Sequence, residues 1–109
     1  MDARDLANDP ELLSALDVVV EAVESDAWGK PFAEASRVFW RLFKAQAFAR
    51  GLAGTGPLHL LRHLQQELLL RHLQQELLDG GDADRANAIG VMLDAIEFAR
   101  RQQQAVLLH

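Results

Sequence analysis

A nine-residue segment is written twice in succession, and it constrains this chain more than any other feature of the sequence. Residues 60 to 68 read LLRHLQQEL, and residues 69 to 77 repeat the same letters in the same order. Leucines separated by three and four positions are typical of an amphipathic helix. The segment contains no glycine, proline or β-branched residue, so both copies are predicted to be helical.

The two copies should face opposite directions if they belong to one helix. A helix turns ~100° per residue, so a shift of nine residues leaves about half a turn of net rotation. The leucines of each copy form a stripe, and the two stripes are therefore expected on opposite sides. The first stripe consists of Leu61, Leu64 and Leu68, and the second consists of Leu70, Leu73 and Leu77.

A single core face cannot bury both stripes. Burying a leucine contributes about 1.5–3 kcal/mol, so three leucines left in water forgo about 5–9 kcal/mol. The whole stability of a small domain is about 5–15 kcal/mol. Three arrangements would relieve this conflict: a continuous helix with one stripe covered by another subunit, a break near residues 68 to 70, or a looped-out copy. We expect the continuous helix, with self-association, because both copies are strong helix formers.

The identity of the two copies also indicates how they arose. An ancient repeat would have had time to diverge, so a segment inserted by design or by a recent duplication fits better. Solenoid repeats are longer than nine residues, and coiled coils repeat every seven or eleven, so the period matches neither. The sequence therefore predicts a helix insertion in an ordinary bundle, as in an engineered variant or a recent duplicate.

Composition and charge restrict the class of protein. The chain has 109 residues, of which 50% are hydrophobic and 25% are charged, as in a folded globular domain. There is no cysteine, no signal-peptide pattern at the N-terminus and no apolar run of transmembrane length. The chain has eleven basic and sixteen acidic residues, which gives a net charge of −5. A protein that binds duplex DNA normally has a basic surface. We expect a cytoplasmic protein with no nucleic-acid or membrane partner.

The remaining sequence predicts an all-α, up-down four-helix bundle in one domain spanning residues 1 to 109. Asp9 and Pro10 form a helix start, and Gly80-Gly81 forms a helix end. The third helix is the extended one and contains both copies. The predicted helices cover residues 10 to 24, 31 to 50, 57 to 79 and 82 to 107.

The second predicted helix carries aromatic residues on nearly all sides. Phe32, Phe39 and Phe43 share one stripe at helical spacing, which is more often core than a binding site. Trp40 and Phe48 lie off that stripe, so we predict that they belong to an interface.

A metal site is the weakest of the hypotheses. His59, His63 and Glu67 recur every four residues, so they project from one side of a helix and could supply three ligands. A solvated polar stripe explains the same spacing. The acids form no paired cluster, and no serine or threonine has an obvious base partner, so no catalytic set is recognisable.

The sequence therefore predicts a non-enzymatic helical protein–protein interaction module without cofactors, which self-associates as a homodimer or binds another helical protein. The predicted interface comprises both leucine stripes together with Trp40 and Phe48. Two alternatives stay open. The duplicated segment could shift, break or loop out and have no biological function of its own, or the chain could be a metal-binding bundle.

Overall fold

Helices joined by short turns make up the described part of the protein. A computed structural model describes the backbone of residues 3 to 50 and 59 to 108, and the side chains of residues 4 to 50 and 65 to 106. Within these ranges there are five helices and no strand. The helices are α1 (Ala3–Ala7), α2 (Pro10–Glu24), α3 (Lys30–Ala49), α4 (His59–Asp79) and α5 (Ala83–Leu108).

Asp9 caps the start of α2 and also contacts the residue that follows α3. The carboxylate of Asp9 accepts hydrogen bonds from the backbone N–H groups of Glu11 and Leu12, at 3.0 and 3.2 Å, and Pro10 occupies the first turn. This is the predicted N-cap arrangement. The other carboxylate oxygen of Asp9 accepts a hydrogen bond from Arg50 at 3.1 Å. Because Arg50 follows α3, this contact shows that α2 and α3 are antiparallel.

A short turn connects α4 to α5. Gly81 has a φ of +83°, a conformation in which a side chain would be strained, and it follows the end of α4 as predicted. Asp82 directly precedes α5, and its side chain accepts a hydrogen bond from the backbone N–H of Arg85 at 3.3 Å. Gln74 on α4 contacts Ala86 on α5, so the two helices run antiparallel from this turn.

Arg85 also ties the start of α5 to α2. Its guanidinium donates two parallel hydrogen bonds to the carboxylate of Asp17, at 2.8 and 3.0 Å, and a third to Asp82 at 3.0 Å. The hydrogen bonds from Arg85 lower the pKa of Asp17 below its ordinary value of 3.8, and the attraction of the guanidinium adds to them, while partial burial acts in the opposite direction. The same pairing raises the pKa of Arg85. Arg85 therefore stays charged and stabilises the ionised form of Asp17.

The helices pack in a defined order around one core. α2 packs against both α3 and α5, whereas α4 packs against α5 and against the short α1. The sequence did not predict α1, whose buried Leu6 belongs to the core. The fully buried large side chains are Leu6, Leu12, Leu16, Val19, Phe39, Phe43, Leu70, Leu73 and Ile89.

Some predictions fall on residues outside the described part of the chain. They concern the start of the third predicted helix at residue 57 and the side chains of Leu61, Leu64, His59 and His63. α3 begins at Lys30, one residue before the predicted start, and α5 continues to Leu108.

Candidate interaction surfaces

α4 runs unbroken through both copies of the repeat. It comprises His59–Asp79, which is 21 residues or about 32 Å of helix. Taken over the whole helix, its apolar residues favour no side, in contrast to those of α2 and α3. Two identical amphipathic segments that differ by half a turn cancel each other in this way.

Equivalent residues of the two copies show the half turn directly. Leu77 in the second copy is buried, with 5% of its surface exposed, whereas its equivalent Leu68 in the first copy is 54% exposed. For one pair of glutamines the residue of the first copy is the buried one: Gln66 is buried, whereas its equivalent Gln75 in the second copy is exposed. Identical local sequences thus reach opposite environments, because the half turn between them places equivalent residues on opposite sides of one helix.

The second stripe belongs to the core of the chain itself. Leu70 and Leu73 are fully buried and Leu77 nearly so. These three residues were predicted at an interface, and their burial within the chain leaves them no surface to offer a partner. Of the first stripe, Leu68 is exposed, whereas the side chains of Leu61 and Leu64 lie outside the described residues.

The register of α4 against α5 is fixed by a contact that one copy alone makes. The side-chain amide of Gln74 donates a hydrogen bond to the backbone carbonyl of Ala86 at 3.0 Å. Gly90 makes room for it, since a Cβ at this position would lie 2.9 Å from Nε2 of Gln74. The equivalent residue of the first copy, Gln65, is exposed.

The short turn explains why the second copy fills the core. Only Gly80 to Asp82 separate α4 from α5, so the last residues of α4 must lie beside the first residues of α5. The start of α5 carries its buried residues, including Ala86, Ile89 and Leu93. The copy next to the turn therefore meets the buried apolar residues of α5, whereas the first copy contacts the later part of this helix through the ion pair of Glu67 with Arg100.

Of the three candidate metal ligands, only Glu67 has a side chain that the structure describes. Glu67 forms an ion pair with Arg100 on α5, which occupies its carboxylate. The side chains of His59 and His63 lie outside the described residues. Among the side chains that are described, no group of three or more His, Cys, Asp or Glu residues could hold a metal ion.

The two off-stripe aromatic residues of α3 have different environments. Phe48 is 72% exposed. Trp40 is half-buried and stacks on Phe43, with ring centroids 5.4 Å apart and planes 14° from parallel. Trp40 also lines a groove between α3 and α5, which the sequence does not predict because a periodic pattern shows the faces of single helices only.

This groove, which we call the α3–α5 groove, has a volume of about 310 Å³. Its wall is mainly apolar, although the buried hydroxyl of Ser36 in this wall has no hydrogen-bond partner in the described part of the chain. The apolar residues that define it are Phe32, Ala33, Trp40, Met92, Ala95, Ile96 and Ala99.

No described helix is long and apolar enough to cross a lipid bilayer. Comparisons with protein-family models, with curated proteins and with solved structures found no match.

Proposed function

We propose that this chain is a non-enzymatic helical interaction module in which two molecules associate through the first leucine stripe of α4. The observation that carries the proposal is the contrast between Leu68, which is 54% exposed, and its buried equivalent Leu77. A stripe of three leucines on one side of a helix is an apolar surface that a second helix can cover. A symmetric pair would bury the same stripe from each molecule.

The finer architecture that we propose is an up-down bundle of α2, α3, α4 and α5, in which α4 is longer than α2. The antiparallel contacts between α2 and α3 and between α4 and α5 support this arrangement. At 21 residues, α4 is longer than the 15-residue α2 by about 9 Å. The excess length offers the first copy to a partner.

Several parts of the sequence prediction stay predictions. These are the absence of enzymatic activity, the cytoplasmic location, the exclusion of nucleic acid and membrane as partners, and the engineered or recent origin of the duplication. A different helical protein remains an alternative partner for the same stripe. A metal-binding role for His59 and His63 also stays an alternative, although it would compete with the ion pair of Glu67.

Two substitutions on α4 test the proposal. Leu68→Glu places a charge within the proposed interface, and Leu78→Glu is the matched control because Leu78 is also an exposed leucine of α4 but lies about 80° away around the helix. Sedimentation velocity at micromolar concentration should show a dimer for the wild type and for Leu78→Glu, and a monomer for Leu68→Glu. A monomeric wild type, or equal effects of the two substitutions, would contradict the proposal.

A further inference from the structure

A row of positive charges on α3 begins at the α3–α5 groove, where Arg37 is one of the lining residues. Arg37, Arg41 and Lys44 follow at spacings of four and three, so the row continues from the groove along one side of this helix. All three are exposed. None of them forms an ion pair among the described residues, whereas Lys30 on the same helix is paired with Glu34 at 3.8 Å.

This positive row stands out against the charge of the chain as a whole. The net charge is −5, and α2 has four acidic residues and no basic one. α3 has four basic residues and one acidic residue. Among the described residues, none of those that line the groove is acidic. An unneutralised row of cations beside an apolar groove is therefore a local property of α3 and not a consequence of composition.

We propose that the α3–α5 groove binds an amphipathic acidic helix of a partner protein. Apolar residues of that helix, at spacings of three and four, would fill the space between Trp40 and Ile96. Its carboxylates would face Arg37 and Lys44 along the rim and gain charge-assisted hydrogen bonds. This complementarity selects an acidic helix over a basic one. The site is separate from the first leucine stripe, so it stands or falls independently of self-association.

A concave apolar groove also distinguishes this partner from an anionic membrane surface. A lipid surface is contacted by a convex or flat apolar face, whereas the walls of the groove are formed by two helices. The negative charge of the remaining molecule would oppose approach to anionic lipid. Binding to a membrane is therefore an outcome that would overturn the proposal.

Tryptophan fluorescence can measure binding at the groove. The Trp28→Phe variant of the full chain leaves Trp40 as the only tryptophan, and Trp28 is exposed outside the groove. The probe is a synthetic amphipathic helix of about 18 residues, long enough to fold in water, with leucines on one side and glutamates on the other. A second peptide has lysine in place of glutamate. We expect saturable binding of the acidic peptide, at least about tenfold tighter than that of the basic peptide.

Three variants in the same background distinguish the causes of binding. Exchange of both Arg37 and Lys44 for glutamate should reverse the peptide preference, whereas Arg71→Glu on α4 should leave it unchanged. Ala95→Phe should fill the groove and abolish binding, and circular dichroism will verify that each variant is folded. Equal binding of both peptides, no binding of the acidic one, or a Trp40 response to phosphatidylserine vesicles in place of the peptide would overturn the proposal.

Discussion

Substitution of Gly90 by alanine tests how α4 is held against α5. In a helix, alanine is more favourable than glycine by about 1 kcal/mol. Here the new methyl group would lie 2.9 Å from Nε2 of Gln74 and displace this flexible side chain from the carbonyl of Ala86. Loss of one hydrogen bond costs about 1 kcal/mol. We therefore expect the two effects to cancel, with a net change in the free energy of unfolding within about 0.5 kcal/mol.

A double-mutant cycle with Gln74→Ala separates the two effects. Once the glutamine is gone there is nothing to displace, so Gly90→Ala should stabilise this background by about 1 kcal/mol. Gln75→Ala is the control, since Gln75 is exposed and bonds to Asp79 on its own helix, and in this background Gly90→Ala should remain neutral. Urea denaturation followed by circular dichroism supplies the free energies. Equal stabilisation by Gly90→Ala in all three backgrounds would refute the proposed contact.

Two further predictions concern the free energy of unfolding. Leu77→Ala should lower it by about 2–5 kcal/mol because the substitution leaves a cavity in the core. The equivalent Leu68→Ala should lower it by less than about 1 kcal/mol in the monomer, and urea denaturation at low protein concentration measures both changes. The folded state lowers the pKa of Asp17, so this carboxylate stabilises the fold above its unfolded pKa, and that contribution is lost as the pH falls through the lower folded value. The stability difference between wild type and Asp17→Asn should therefore shrink as the pH falls below about 4, and a difference independent of pH would contradict the role of Arg85.

Local features of the sequence predicted much of the fold. Asp9 and Pro10 predicted the start of α2, and the glycines after Asp79 predicted the end of α4, because caps and stops depend on a few adjacent residues. The half-turn between the copies followed from helix geometry alone. The short α1 was missed, since five residues are too few to show a periodic pattern; its buried Leu6 joins it to the core.

Contacts between helices were beyond the reach of the sequence pattern. The copies are identical, so no property of residues 60 to 77 could indicate which of them fills the core. The choice depends on the short turn that follows the second copy and on the space that Gly90 leaves for Gln74. The α3–α5 groove was likewise unpredictable, because it requires knowledge that the side of α3 carrying Trp40 faces the side of α5 carrying Ile96.

Deletion of nine residues tests the central claim most directly, because removal of either copy produces the same shortened chain. The remaining copy would be next to the turn and should fill the core as Leu70, Leu73 and Leu77 do now, while the first stripe would be lost. Sedimentation equilibrium, together with circular dichroism, should show a folded helical monomer for the shortened chain and a dimer for the full chain of 12.1 kDa. A shortened chain that remains dimeric, or that fails to fold, would contradict this division of roles between the two copies.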